Sequence, residues 1–317
     1  MILRGVIPIL ATPFRDDESL DLESWKRLVS FMVDLGVDGI TILGVLGESN
    51  RLSDDERATL ISTAVAVVNR RVPVIVGTSH SGTRVVRGLS RSAQELGADA
   101  VMVTPAKEPV PNDDRIVELY QRVAEGLDIP IILQDHPAST DVHLSVALML
   151  RLLRSVPAIH CVKEEAVPTA PKIRQLREGF TDRPVSILTG LGALYAPFDL
   201  EAGSDGFNTG FAFPEVLIAM VRAARASDWQ RLHELYSSFA PLIVFEQQPG
   251  VAIRKELLRR RGLIESARAR HPGATISPAA ARQLDLLLER TLPGADVTRP
   301  IHVDQIDHTR VAASGNA

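Results

Sequence analysis

The feature that most constrains the fold is a regular alternation of short β-branched runs with longer amphipathic segments. Eight apolar runs occupy residues 6–10, 37–43, 72–77, 98–104, 129–134, 159–163, 185–189 and 206–208. Apolar residues at helical spacing follow them at residues 22–35, 54–68, 84–96, 113–125, 146–153, 171–177, 194–201 and 214–226. Continuous apolar strands are typical of a parallel sheet covered by helices on both faces. Eight βα units therefore predict an α/β protein with a TIM (β/α)8 barrel, because right-handed crossovers around a closed sheet remove the edge strands.

The alternative α/β architecture is a doubly wound open sheet. That fold usually carries a glycine-rich fingerprint after its first strand, where this chain reads Ala11-Thr12-Pro13-Phe14. Helix starts are marked by a capping box at Ser53 and Glu56 and by Asn112 before an acidic first turn. Residues 229–240, 251–261 and 278–292 have only helical periodicity. We therefore expect a barrel over residues 1–226, a C-terminal helical appendage over 227–296 and an irregular tail over 297–317.

Composition excludes several classes of protein. The net charge is −4 and basic residues are spread along the chain, so neither a nucleic-acid surface nor a membrane-binding surface is indicated. No apolar run has the length of a membrane span. The single cysteine, Cys161, excludes an intrachain disulfide framework and favours a reducing compartment, so a cytoplasmic enzyme is expected. We predict no metal site, and interpret His302, Asp304, Asp307 and His308 as a solvated tail.

Lys163 at the end of the sixth run is the first candidate for chemistry, since the functional residues of a TIM barrel lie where strands end. Strand alternation places Ile159, Cys161 and Lys163 on one face. A lysine facing the barrel interior loses the hydration of its charge, which lowers its pKa from about 10.4 and makes a nucleophile able to form a Schiff base. The alternative is a rim lysine paired with Glu164 or Glu165.

A glycine loop follows the second run. Gly44, Val45, Leu46 and Gly47 form a turn whose backbone N–H groups can face an anion such as a substrate carboxylate. The alternative is a simple βα turn in which Glu48 is solvated or caps a helix.

Several short motifs together resemble one enzyme family. They are the segment 5–14 (GVIPILATPF), the loop 44–48, Thr104-Pro105, Pro137, Lys163-Glu164 and Gly190. These motifs follow one another along the barrel part of the chain as they do in the dihydrodipicolinate synthase / N-acetylneuraminate lyase family of class I aldolases, which the chain resembles. The helical appendage also matches the layout of that family. The resemblance implies a TIM barrel, a homotetramer or homodimer, and an imine between a 2-oxo acid and Lys163. Imine chemistry needs no cofactor.

The chain departs from the family where the family uses hydroxyl groups. Two small hydroxyl residues of the family's glycine loop are here Val45 and Leu46, and a proton-shuttling tyrosine of the fifth strand is here Gln134. The stretches 106–108 and 138–140 also lack the tyrosine pair and the arginine of the synthases. A divergent member without the hydroxyl relay is therefore expected.

Other residues must then transfer protons. His136 shares a parity with Gln134 and is the candidate acid or base, although a packed structural histidine is the alternative. Gln134 can position substrate or water but cannot act as a base. Glu165 is a candidate base if the chain stays extended, but we expect it to form a rim ion pair with Lys107 or Lys172. Asp135 should face outward and cap a loop.

Three further sites were assigned from position. Asn208 and Gly190 are expected to contact substrate beside the glycine loop. The arginine-rich segment with Arg254, Lys255, Arg259, Arg260 and Arg261 is expected to be a solvated face or a subunit interface.

The leading functional hypothesis is a Schiff-base lyase, an aldolase or dehydratase acting through Lys163 on a 2-oxo acid, possibly derived from a sugar acid. The alternatives are dihydrodipicolinate synthase activity and a catalytically silent relative that binds a small carboxylate.

Overall fold

Eight parallel strands form a barrel in the computed structural model, which describes residues 1–110, 112–248 and 250–306. The strands are β1 (Gly5–Pro8), β2 (Ile40–Ile42), β3 (Val74–Gly77), β4 (Ala100–Val103), β5 (Ile131–Asp135), β6 (Ile159–Glu164), β7 (Ser186–Thr189) and β8 (Gly206–Thr209). Their order is β1-β8-β7-β6-β5-β4-β3-β2. The ends meet where Asp38 N donates to Val6 O and Leu10 N donates to Thr41 O, each at 2.9 Å. The predicted TIM barrel is confirmed.

Helices connect and follow the strands. They are α1 (Leu22–Leu35), α2 (Asp54–Val68), α3 (Thr83–Glu95), α4 (Asp113–Ala124), α5 (Pro137–Thr140), α6 (Val146–Ser155), α7 (Thr169–Gly179), α8 (Ala196–Glu201), α9 (Pro214–Arg225), α10 (Trp229–Glu246), α11 (Ala252–Arg260) and α12 (Pro278–Thr291). The capping box of α2 is present, with Ser53 and Glu56 each accepting from the other's backbone N–H. Asn112 caps α4 through the N–H groups of Asp114 and Arg115. Both predicted helix starts are therefore confirmed.

Two helices differ from the sequence prediction. The short α5 was not predicted, although Pro137 at its first position is a favoured start. Helix α10 was expected to end before Pro241, but it continues to Glu246. Leu242 and Ile243 beyond the proline are buried, and their burial offsets the hydrogen bond that proline cannot donate. Glu246 at the end of the helix is paired with Arg254.

The core has two layers. Inside the barrel lie Leu3, Ile7, Ile75, Ala100, Met102, Ile132, Cys161 and Leu188. A larger layer separates the strands from the helices and includes Ile159 and Val162. Cys161 therefore faces the barrel interior, whereas Ile159 faces the helices, so the prediction that these two residues share a face is wrong. The β5–β6 register shifts by one residue between Ile159 and Cys161, and this bulge changes the face on which Ile159 lies.

Most of the basic segment is not the solvated face that was expected, although Arg259 is exposed. Arg254, Lys255 and Arg261 are buried, and each forms an ion pair within the chain. Arg261 reaches Glu215 of α9, and Arg254 reaches Glu246 of α10. These pairs attach α11 and its C-terminal end to α9 and α10.

Part of the C-terminal tail is also packed. Ile301 is buried, and its backbone N donates to Glu215. Asp304 pairs with Arg231 at 2.6 Å. Residues 307–317, with Asp307 and His308 of the predicted solvated tail, lie outside the described residues. Across residues 1–110, 112–248 and 250–306, no helix has the length and hydropathy needed to cross a membrane.

Candidate active site

Lys163 lies on the inner face of β6, two residues beyond Cys161. Its side chain is almost completely buried, and its Nζ lies 3.2 Å from Glu165 Oε2. Burial lowers the pKa of Lys163, while the charge of Glu165 opposes this effect. The amine is therefore inside the barrel, where losing its proton is easier than in water.

Glu165 is held at both carboxylate oxygens. Gln134 Nε2 donates to Oε2 at 2.8 Å, and Leu191 N donates to Oε1 at 3.2 Å. A Cβ atom on Gly190 would lie only 2.0 Å from Oε1, so the absence of a side chain at Gly190 makes room for the carboxylate. Burial raises the pKa of Glu165, but Lys163 and the hydrogen bonds more than compensate and the pKa is lowered overall. The carboxylate is thus ionised and fixed beside the amine.

The expected rim ion pairs of Glu165 were wrong. Lys107 pairs with Asp141, and Lys172 pairs with Asp135. Both lysines are therefore engaged elsewhere. The chain stays extended past Lys163, since Glu165 N donates to Asp135 O at 3.0 Å in continuation of the sheet. Because strand side chains alternate, the extended chain returns Glu165 to the same side as Lys163.

Asp135 faces the helix layer as predicted, but it does not lie in a loop. It is completely buried at the end of β5, where its partner is Lys172 of α7. Glu164, in register with Asp135 on β6, is also completely buried. Burial and the neighbouring charge of Asp135 raise the pKa of Glu164 to about 8. Asp135 and Glu164 therefore form a pair of carboxyl groups on the helix side of the strands that carry Lys163 and Gln134.

Gln134 occupies the position next to Lys163 in the sheet register. Its side chain is buried and contacts Glu165. An amide donor at this place orients the carboxylate without accepting its proton.

His136 is half-buried and follows the end of β5. Its Nδ1 lies 2.5 Å from Ser139 Oγ, and it stands at the cap position of α5. Burial lowers its pKa, and the charges of Glu165 and Lys163 act on it in opposite directions. The histidine is therefore within electrostatic range of the pair, while its hydrogen bond holds it to Ser139. Its role in proton transfer stays a prediction.

The glycine loop forms a short turn over Val45–Gly47. Gly47 N donates to Gly44 O and Glu48 N donates to Val45 O, each at 3.0 Å. The hydroxyl of Thr12 donates to Gly47 O at 2.7 Å. These bonds occupy the N–H groups at the end of the turn, so an anion would be bound at its beginning.

The side chains of this turn point to different places. Val45 is 54% exposed, whereas Leu46 reaches toward the end of β8, where its Cδ1 lies 2.3 Å from the position of a Cβ on Gly210. A Cβ on Gly44 would lie 3.2 Å from Ile9 Cγ2. The turn thus lies across the ends of β1, β2 and β8. Glu48, expected to be solvated or a cap, is instead buried.

Asn208 lies inside the barrel on β8. It is completely buried, and its Nδ2 donates to Thr41 Oγ1 of β2 at 2.7 Å. Its Oδ1 has no hydrogen-bond partner among the residues that the structure describes. Direct contact of Asn208 with substrate stays a prediction.

Sequence reasoning underestimated Glu165, which the structure makes the direct partner of Lys163. The available signal was the Lys-x-Glu spacing at the end of a strand, which places both side chains on one face. A buried amine, a fixed carboxylate and an orienting amide form an arrangement suited to imine formation and proton abstraction.

Comparison with known proteins agrees with this arrangement. The model of the dihydrodipicolinate synthetase family matches residues 2–291. The L-2-keto-3-deoxyarabonate dehydratase of Azospirillum brasilense is 38% identical over 299 residues, covering 90% of this chain and 96% of that protein. The 4-hydroxy-tetrahydrodipicolinate synthase of Methanothrix thermoacetophila is 32% identical over 244 residues, covering 76% and 81%. The crystal structure of dihydrodipicolinate synthase from Rhodopseudomonas palustris superposes with a TM-score of 0.86 at 33% identity, covering 90% of this chain and 97% of that one.

Proposed function

The chain belongs to the dihydrodipicolinate synthetase family and is a lyase of the class I aldolase type, and we propose that it dehydrates a 2-keto-3-deoxy sugar acid through an imine on Lys163. The observation that carries this proposal is the buried contact of 3.2 Å between Lys163 Nζ and Glu165 Oε2. It joins a nucleophile and a base on one strand, inside the barrel.

Imine formation is the first step. The neutral amine of Lys163 adds to the C2 carbonyl carbon of the substrate, and the carbinolamine then loses water to give a protonated imine. Burial favours the neutral amine, so water takes up the ammonium proton and returns it to the hydroxyl group that leaves the carbinolamine. Glu165 therefore stays ionised for the next step. The imine nitrogen draws electrons from C2 and so acidifies the neighbouring C3–H bonds.

Dehydration follows from this acidity. Glu165 removes a proton from C3 and the electron pair forms an enamine. The C4 hydroxyl then takes a proton from His136 and leaves as water, and the proton on Glu165 passes back to His136 through water, so that both residues regain their starting states. Addition of water to the resulting unsaturated imine releases the product and restores Lys163. Overall one water molecule leaves the substrate, and no oxidant or reductant is consumed.

Other residues bind and orient the substrate in this proposal. The N–H groups of Val45 and Leu46, which begin the glycine turn, bind the C1 carboxylate. Gln134 keeps Glu165 in place, as its 2.8 Å hydrogen bond supports. His136 supplies the proton for the leaving hydroxyl, and Asn208 contacts the substrate chain.

The side chains of the site favour dehydration over synthase chemistry. Val45, Leu46 and Gln134 bring no hydroxyl group to the positions where the resemblance implies a relay. The hydroxyls of Tyr120 and Tyr236 donate to the carbonyls of Val103 and Leu194. A carboxylate base fits abstraction of a C–H proton and does not require that relay.

Synthase activity is the second candidate, since several similar proteins are named 4-hydroxy-tetrahydrodipicolinate synthase. A catalytically silent carboxylate-binding relative is the third. The same resemblance supports a homotetramer or homodimer, and the single buried cysteine favours a cytoplasmic location.

One experiment distinguishes the three. The protein is incubated with L-2-keto-3-deoxyarabonate or pyruvate, reduced with borohydride and digested, and the Lys163 peptide is analysed by mass spectrometry. Lys163→Ala is the control. We expect a reduced adduct on Lys163 with both acids and loss of water only from the sugar acid. An adduct with pyruvate and no loss of water from the sugar acid would favour the synthase instead, and an unmodified Lys163 with both acids would contradict imine chemistry.

A further inference from the structure

The glycine turn ends in a buried carboxylate that the proposed mechanism does not use. Glu48 lies at a left-handed backbone position with φ of 52°, and its side chain is only 2% exposed. Its Oε2 accepts from Arg51 Nη1 at 2.6 Å and from Arg270 N at 2.9 Å. Its Oε1 lies 2.5 Å from Lys255 Nζ.

Lys255 is a second buried lysine, remote in sequence from the first. It lies on α11 and is completely buried. Its Nζ donates to Arg268 O at 2.7 Å and lies 4.4 Å from the centre of the Phe14 ring. Burial lowers the pKa of Lys255 to about 8, while the charge of Glu48 acts in the opposite direction. The ammonium is therefore held by a carboxylate, a carbonyl and an aromatic ring.

The same cluster joins three parts of the barrel mouth. Phe14 follows β1, and the guanidinium of Arg270 also lies over its ring, at 4.3 Å. Arg270 in turn forms two hydrogen bonds with Glu56 at the start of α2. The C-terminal region is thus anchored to the connections that follow β1 and β2.

The last residue of the turn, Gly47, and the residue after it, Glu48, are each held by other parts of the chain. Thr12 holds Gly47 O, and the next residue, Glu48, is held mainly by Lys255, Arg51 and Arg270. The N–H groups of Val45 and Leu46 precede these attachments by one to three residues. Glu48 is joined to the start of the turn by the hydrogen bond from its backbone N to Val45 O at 3.0 Å, so a shift of Glu48 would reach these N–H groups.

We infer that Lys255 is a positioning residue for the carboxylate-binding turn, and that the C-terminal helical region sets the affinity for the substrate carboxylate through Glu48. This inference rests on the proposed function, which assigns the carboxylate to the turn. Lys255 does not touch substrate. Its effect is on binding rather than on the reacting atoms.

The test compares Lys255→Met with Arg260→Met. Both variants remove a cation from α11, but Arg260 pairs with Glu256 and Asp285, away from the turn. For each protein we would measure the 2-oxo acid concentration that gives half-maximal borohydride trapping at Lys163, the maximal trapping rate, and hydrogen exchange of peptides covering residues 44–51. In Lys255→Met we expect the half-saturating concentration to rise about ten-fold, the maximal rate to stay within about three-fold, and exchange to increase in the turn.

Combining Glu48→Gln with Lys255→Met separates positioning from stability. In Lys255→Met the Glu48 carboxylate keeps Arg51 but loses its second cation, and Glu48→Gln removes this partly compensated charge. We therefore expect the resistance of the double variant to urea to recover in part while the half-saturating concentration stays high. It also provides a folded protein if Lys255→Met alone does not fold.

Two results would count against the inference. Half-saturation and turn exchange equal to those of Arg260→Met in the folded variants would overturn it. If the wild-type protein forms no adduct with any 2-oxo acid, the proposed function fails instead, and hydrogen exchange of the turn alone decides the role of Lys255.

Discussion

Replacing Glu165 by Gln should separate imine formation from proton abstraction. The amide keeps the size of the carboxylate, its oxygen can still accept from Leu191 N, and its NH2 group can donate to a rotated Gln134. At 3.2 Å the Coulomb attraction lost with the charge is on the order of 5 kcal/mol at an effective dielectric constant of about 20. Because this attraction opposes the effect of burial, its loss lowers the pKa of Lys163 further.

The two steps should respond in opposite ways. The variant should form the borohydride-trapped adduct at neutral pH at least as well as wild type, since more of its amine is neutral. Turnover should fall by about 10²- to 10⁴-fold, the usual contribution of a general base. Trapping and turnover would be followed from pH 5 to 9, with Glu178→Gln on the exposed side of α7 as the control. Turnover within three-fold of wild type would refute the assignment of Glu165 as the base, and loss of the adduct would refute the separation of the two steps.

Three further predictions concern the surroundings of this pair. Gly190→Ala places a Cβ 2.0 Å from Glu165 Oε1, so it should reduce turnover more than ten-fold and lower the free energy of unfolding in urea by about 1–3 kcal/mol. Gly88→Ala is the control, since the space around Gly88 is open and neither quantity should fall. Equal behaviour of the two variants would contradict the packing argument. The pKa of Glu164 is raised to about 8 by burial, so its protonated form stabilises the fold at low pH and wild-type stability should decrease as pH rises from about 4.5 to 8. Glu164→Gln should remove up to a few kcal/mol of that decrease, and parallel urea-unfolding profiles would show that Glu164 is ionised throughout. His136→Ala should slow dehydration about 10²-fold with trapping unchanged, and undiminished turnover would remove His136 from the mechanism.

The barrel could be predicted from sequence because each of its signals is local. Apolar periodicity changes from strand to helix eight times, and caps such as Ser53 mark helix starts within a few residues. The alternation of side chains at the end of β6 predicted that Cys161 and Lys163 share a face, and the structure shows that this face is the inner one. The same rule failed for Ile159, since a bulge between Ile159 and Cys161 shifts the alternation by one residue, and nothing in the local sequence marks that bulge.

The site itself depends on contacts that sequence spacing does not report. The alternation of side chains along β5 does not predict the direction of the His136 side chain, because β5 ends at Asp135 and α5 begins at Pro137. The sequence left Lys107 and Lys172 as possible partners of Glu165, and only the fold shows that both lysines are engaged by other carboxylates.

Burial of Glu48 was the least predictable feature, since two of the three residues that hold it, Lys255 and Arg270, are about two hundred residues away in the chain. A carboxylate can be buried only if its charge is matched, and here the matching cation comes from α11. The helical appendage is therefore part of the architecture of the barrel mouth.

In the proposed mechanism, the pairing of Lys163 with Glu165 takes the place of the hydroxyl relay that the family resemblance implies. A relay of hydroxyl groups moves protons between a substrate and distant acceptors, and it must be assembled from several loops. A carboxylate two residues beyond the nucleophile needs only an extended strand end, because alternation returns it to the same face. The chain meets the remaining requirements with Gln134, which fixes one oxygen, and Gly190, which leaves space for the other. A base of this kind suits removal of a proton from carbon next to an imine, and this makes dehydration the reaction best matched to the residues that this chain places around Lys163.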